Sequence, residues 1–351
     1  MQDSAADAAI AERVLDGEPA GYTELYDRYA AQLYAYCYNM LGDQEQAVGA
    51  LGMTFMIAVC RLGQLPDSDR LRPWLYALAR NECRRYQRNG RAGSSPVVFT
   101  PANPSEDRQA ERPQDGEHGS WASWAEDGEL LPAARFSTAE TLAVGMRTLS
   151  LRDREALELC LRHNLIGPDL SDVLGIPAGR VHKVITRAWT RLQRTLGTLL
   201  IARWGREDCP DLDGMLASWD GQPTAMVRRR VRRHMKVCDS CRLREWRELP
   251  SGALAGLLAE APQPSPPPGL RDQVLRLLAE VAQGTPAEGD LILELVARRG
   301  GSFGPSGFPA VSQRGGKGRT DQRLWVAAAA VAVIVAGVVI ILSGVIPGGG
   351  A

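Results

Sequence analysis

Residues 324–346 read LWVAAAAVAVIVAGVVIILSGVI, a run without a single charge. A helix of that length, rising about 1.5 Å per residue, crosses the roughly 30 Å hydrocarbon core of a bilayer. Soluble core helices seldom run this long without a charge, so a transmembrane helix is predicted. Arg314, Lys317, Arg319 and Arg323 precede it and only PGGGA follows. Positive charge on the N-terminal side predicts a single pass of the inner (cytoplasmic) membrane with the bulk of the chain in the cytoplasm. Everything before the anchor must then fold as water-soluble modules.

The 351 residues are enough for two or three such modules. Lys+Arg and Asp+Glu are both 41, which gives zero formal charge, but the charges are unevenly placed. Residues 104–130 hold eight acids and two arginines, whereas 178–194 hold Arg180, Lys183, Arg187, Arg191 and Arg194 and no acid. Local fields of that kind steer partners even when the total is neutral. The seven cysteines are an odd number, and the first forty residues contain no continuous apolar run. A reducing compartment is therefore expected rather than a disulfide framework. Cys37, Cys60, Cys83 and Cys160 lie on apolar helical stripes and read as small buried hydrophobes.

Apolar residues recur at helical spacing in two blocks, and no alternating strand pattern is convincing, so an all-α fold is predicted. In the first block Leu25, Tyr26, Tyr29, Leu33 and Tyr36 keep one face, and Trp74, Leu75, Leu78, Ala79, Cys83 and Tyr86 keep another. The predicted division is a helical domain over 1–90, an acidic disordered linker over 91–136, and a second helical domain over 137–206. A small helical module over 207–250 follows. Then comes a Pro/Gly-rich tether over 251–323, carrying an amphipathic helix over 269–282, and the anchor at 324–346.

Residues 164–192 read NLIGPDLSDVLGIPAGRVHKVITRAWTRL. Gly167-Pro168 can open a helix whose inner face is Leu170, Val173 and Leu174, and Gly175 supplies a turn where positive φ costs nothing. Val181, Val184, Ile185, Ala188 and Leu192 form the inner face of a second helix, opposite Arg180, His182, Lys183, Arg187 and Arg191. A short turn followed by an acid-free basic helix predicts a DNA-binding helix-turn-helix, with the second helix in the major groove. The run from Thr148 to Arg194 resembles region 4 of the extracytoplasmic-function (group IV) sigma factors, with Ser150 where that family usually has proline. The resemblance implies that Arg180, His182, Lys183 and Arg187 face promoter DNA at the −35 element.

LGDQEQAVGALGMTF over 41–55 and PWLYALARNECRRYQRNGR over 73–91 resemble region 2 of the same family. That region grips core RNA polymerase and captures the −10 element. Arg80, Arg84, Arg85, Arg88 and Arg91 supply a basic stretch for phosphate. The loop LGQLPDSDRLR can cup an unpaired base, and Trp74 reads either as core or as a base contact. Gly49-Ala50-Leu51-Gly52-Met53 departs from the family's acidic, polar D-L-V-Q-E pattern. Each glycine weakens a helix by roughly 1 kcal/mol relative to alanine, and side chains expected to meet the polymerase clamp are missing. The acidic linker fits the family.

Cys209, His234, Cys238 and Cys241 give C-x24-H-x3-C-x2-C. On a helix the last three share a side, and Cys209 completes a Cys3His set suited to closed tetrahedral zinc. The stretch resembles the zinc-binding anti-sigma domain, which clamps sigma regions 2 and 4. The zinc reads as structural, with thiolate oxidation as a second, redox reading. The run RRRVRR reads as a solvated helix face, with anionic lipid as the other reading.

The four histidines, at 118, 163, 182 and 234, form no recognisable catalytic set, so no enzyme activity is predicted. The resemblances together imply a membrane-tethered alternative sigma factor that directs RNA polymerase core to specific promoters. In that reading its zinc module restrains it by intramolecular contact with the sigma-like domains. The other reading is a membrane-anchored regulatory or DNA-binding protein whose sigma-like modules no longer bind core polymerase.

Overall fold

The computed structural model describes residues 2–89, 138–219, 224–242, 263–283 and 301–309, with single residues at 258, 261 and 296. The predicted linker and transmembrane helix lie outside the described residues. Among these residues the fold is all-α; the one extended pairing is an isolated bridge between Phe303 and Pro309. The chain forms two compact units, Met1–Asn103 with Pro264–Ala351, and Pro104–Gln263.

The first unit is a bundle of α1 (Gln2–Leu15), α2 (Pro19–Leu41), α3 (Gln44–Arg61) and α4 (Leu71–Asn89). Gly42, at φ 69°, ends α2, and Asp43 caps α3 by accepting from the Gln46 N–H at 2.9 Å. Gly21 lets α1 cross α2 closely, since a Cβ there would lie 2.8 Å from the backbone of Arg13 and Val14. Tyr26 packs on Phe55 and Tyr36 on Tyr76, with ring centroids 5.1 and 5.8 Å apart.

Helix α3 is long and apolar enough to cross a membrane, but it lies inside this bundle. Every residue from Ala47 to Ala58 is buried, so no face is left for solvent. Helices α2 and α4 cover part of it, and α11 (Leu270–Gln283) packs on α2 and α3 through buried Leu270, Val274 and Leu278. Gly49 and Gly52 do not break the helix, because tertiary packing outweighs intrinsic propensity.

The second unit holds α5 (Thr138–Thr148), α6 (Leu151–Leu157), α7 (Gly167–Leu174) and α8 (Ala178–Trp204); α7 packs on α8, and α5, α6 and α8 enclose one core. Leu142, Met146, Leu157, Ala188, Leu192, Leu196 and the distant Leu258 fill it. A second core joins Ile201 and Ala202 of α8 to α9 (Pro210–Met215) and α10 (Ala225–Met235) through Cys209, Leu212, Leu216, Val231 and Met235. One continuous helix therefore serves both cores.

Cys37 and Cys83 are buried, and Cys60 and Cys160 are half-buried. Burial pushes the Cys60 thiol up to about 11 and raises that of Cys160, so both are protonated, unreactive thiols at neutral pH.

Candidate nucleic-acid interface and metal centre

The turn between α7 and α8 is built locally. Gly175 takes the left-handed conformation at φ 61°, and the Ser171 hydroxyl donates to the Ile176 carbonyl at 2.7 Å. Val181, Val184, Ala188 and Leu192 then point into the core. That phase turns Arg180, His182, Lys183 and Arg187 outward, and all four are exposed. Ser150 caps α6 by accepting from the Asp153 N–H at 3.2 Å. Asp153 is 1% exposed and is held by Arg191, with Arg187 at 4.0 Å. A buried carboxylate thus ties α6 to the basic helix.

The α4 arginines are placed differently. Arg88 is exposed, Arg84 and Arg85 are half-buried, and Arg85 pairs with Glu82 at 3.3 Å. Arg80, predicted to reach phosphate, is only 2% exposed and sits inside the bundle. It occupies an inward position on α4, between buried Ala79 and half-exposed Asn81, that its place in an arginine series does not announce.

Trp74 is fully buried, a core residue with one polar duty. Its indole N–H donates to the Gly307 carbonyl at 2.8 Å. Phe303 lies 6.5 Å from Trp74 between centroids, and the Arg70 guanidinium sits 4.7 Å over the Phe308 ring. Gly307, at φ +75°, lies so close that a Cβ would be 2.4 Å from the Gln64 carbonyl and 2.7 Å from Pro66. The segment 301–309, read from sequence as part of a flexible tether, is folded onto the loop before Trp74. Two phenylalanines in a glycine-rich run were the available signal. On α11, Arg271 makes two hydrogen bonds to Asp27, at 2.7 and 2.9 Å, and holds the Asp27 carboxyl below its ordinary range.

Cys209, His234, Cys238 and Cys241 converge, with all ligand atoms within 4.8 Å of one another. Cys209 Sγ lies 3.3 Å from His234 Nε2 and 3.9 Å from Cys238 Sγ, and Cys241 Sγ lies 3.3 Å from the same nitrogen. A tetrahedral ion with metal–sulfur bonds of about 2.3 Å and a metal–nitrogen bond of about 2.0 Å needs sulfur–sulfur edges of about 3.8 Å and sulfur–nitrogen edges of about 3.5 Å. The set therefore fits a metal ion. The Cys238 thiol is lowered, first by the Cys241 backbone N–H, while burial and the neighbouring sulfurs push Cys241 up to about 12. A bound cation would reverse the Cys241 shift by stabilising the thiolate. Within this unit α10 packs on the C-terminal half of α8, and the outward residues of its N-terminal half stay exposed.

The chain thus carries an α-helical bundle and, in its second unit, a helix-turn-helix with an outward basic face. Residues 25–92, which span most of α2 with α3 and α4, match the Sigma-70 region 2 family. Over 213 residues the chain is 25% identical to "ECF RNA polymerase sigma factor SigG" of Mycobacterium tuberculosis, in strains CDC 1551 / Oshkosh and ATCC 25618 / H37Rv. The alignment covers 58% of this chain and 55% of each relative, so the chain spans about half the length of the curated relatives it matches. No solved structure matches.

Proposed function

We propose that this protein is a membrane-tethered alternative sigma factor, a non-enzymatic factor that directs RNA polymerase core to specific promoters and is restrained in cis. The observation that carries the reading is the exposed set Arg180, His182, Lys183 and Arg187 on a helix-turn-helix in the same chain as a region 2 domain. The anchor is the charge-free run 324–346. The ion is structural Zn2+ on Cys209, His234, Cys238 and Cys241, whose thiolate-rich, closed set suits it. The zinc module fixes the end of α8 through their shared core.

Restraint has its support in the first unit. Helix α11 lies against α2 and α3, the helix that carries the Gly49–Met53 stretch, and the turn at 301–309 covers the loop before Trp74. By the family resemblance these are the polymerase-facing and base-capturing surfaces. The small and apolar residues of α3 then have a reason: they stand in an internal interface rather than a polar one.

The test compares the full-length chain with a Gly307→Val, Arg271→Glu double variant. Co-elution with core polymerase and promoter-directed transcription are the readouts. Gain of both by the variant is expected. Equal activity of the two proteins would remove the restraint. Failure of both to bind core would favour a tethered regulator, a reading that rests on the missing Asp, Gln and Glu of the Gly49–Met53 stretch.

A further inference from the structure

The arginines of α10 have no duty in holding the metal. Arg228, Arg229, Arg230, Arg232 and Arg233 accompany His234 on a helix with no acid. One of them, Arg232, reaches a cleft of 340 Å³ between α10, the middle of α8 and the junction of α5 with α6. Arg191, Arg194 and Thr195 of α8 line its other side, with Thr148 and Ser150 at its edge. Among the described lining residues Asp153 is the one acid, and it is buried and already held by Arg191. Arg194 and Arg232 therefore face the cleft as surplus positive charge.

This cleft is continuous with the DNA-facing side of α8. A second concavity, of 570 Å³, runs along His182, Lys183, Arg187 and Thr190, and it shares Arg191 and Arg194 with the first. From Arg187 to Arg194 the helix advances about 10 Å, at about 1.5 Å per residue. The chain thus presents one basic track that starts where the helix-turn-helix meets base edges and ends against the metal module. Guanidinium groups are weakly hydrated planar forks matched to phosphate oxygens, which suits such a track to nucleic-acid backbone.

We propose that the Arg191–Arg194–Arg232 cleft is a phosphate site for duplex DNA, so that the metal module extends the DNA interface of α8. The inference rests on reading α8 as DNA-facing. It gives the module a role in binding promoter DNA beside fixing the end of α8.

The test uses full-length protein in detergent and a 30-bp duplex, with affinity followed from low salt to 1 M. The variants are Arg232→Gln and, as a control on the same helix, exposed Arg230→Gln; retained metal shows that the module is folded. Each phosphate contact contributes about 0.9 to the slope of log affinity against log salt. Arg232→Gln should lower that slope by about one, leaving binding about five-fold weaker at 0.15 M salt, while Arg230→Gln leaves it unchanged. Unchanged slopes in both variants would overturn the site. Equal losses in both would overturn it too, since diffuse charge needs no cleft. Loss of binding to phosphatidylserine vesicles with no change on DNA would reassign the arginine to lipid. If the wild-type chain binds no duplex, the DNA reading of α8 fails with it, a result distinct from failure of the cleft alone.

Discussion

Ser150 shows how one residue replaces another without changing the backbone. Its φ of −60° is a value proline also adopts, and its side chain adds a cap that proline lacks. Ser150→Ala should lower stability of the second unit by about 1 kcal/mol, measured by urea unfolding. Ser150→Pro should cost less, because it stiffens the unfolded chain as it removes the cap. Gly307 is the opposite case, a position where no side chain fits. Gly307→Ala should undock the turn, and Trp74 fluorescence should then report a wetter indole. An unchanged emission spectrum would mean that the loop yields instead.

Among the elements, α3 and α11 explain each other. A helix buried on every side needs a covering partner, and an amphipathic helix needs an apolar surface. Leu278→Ala should weaken the docking of α11 by about 2–5 kcal/mol, and hydrogen exchange in α3 should rise. Acid should act in the same direction. Asp27 has a lowered pKa in the folded state, so its pairing with Arg271 contributes fully above the ordinary carboxylate range, near about 4. That contribution is lost as pH falls through the still lower folded value. Asp27→Asn should flatten this part of the acid profile. In the second unit, chelation should unravel α9 and α10 and fray the end of α8, because Ile201 and Ala202 share their core. Loss of helical circular dichroism on adding a strong chelator is expected, with recovery on returning Zn2+.

At the scale of the whole molecule, local patterns were legible and long-range pairings were not. The helix-turn-helix could be read because its turn glycine, its inner apolar positions and its outward arginines all lie within a short stretch at helical spacing. The Cys3His set could be read for a similar reason, since three ligands share one helical face and the fourth is a lone upstream cysteine. Arg80 was misplaced because a basic run in sequence does not say which of its members turns inward. The Trp74 contact joins residues 233 apart and the Arg271 pair residues 244 apart. An apolar stripe records that a face must be covered but does not name its cover. The helices, their inner faces and the basic surface of α8 were readable because they follow from spacing along one element. The cover of α3 by α11, the seat of Gly307 on Gln64 and the sharing of α8 between two cores were not readable from spacing. Those choices depend on shape and burial between segments far apart in the chain, where hydrophobic attraction is strong but non-directional and packing selects the partner.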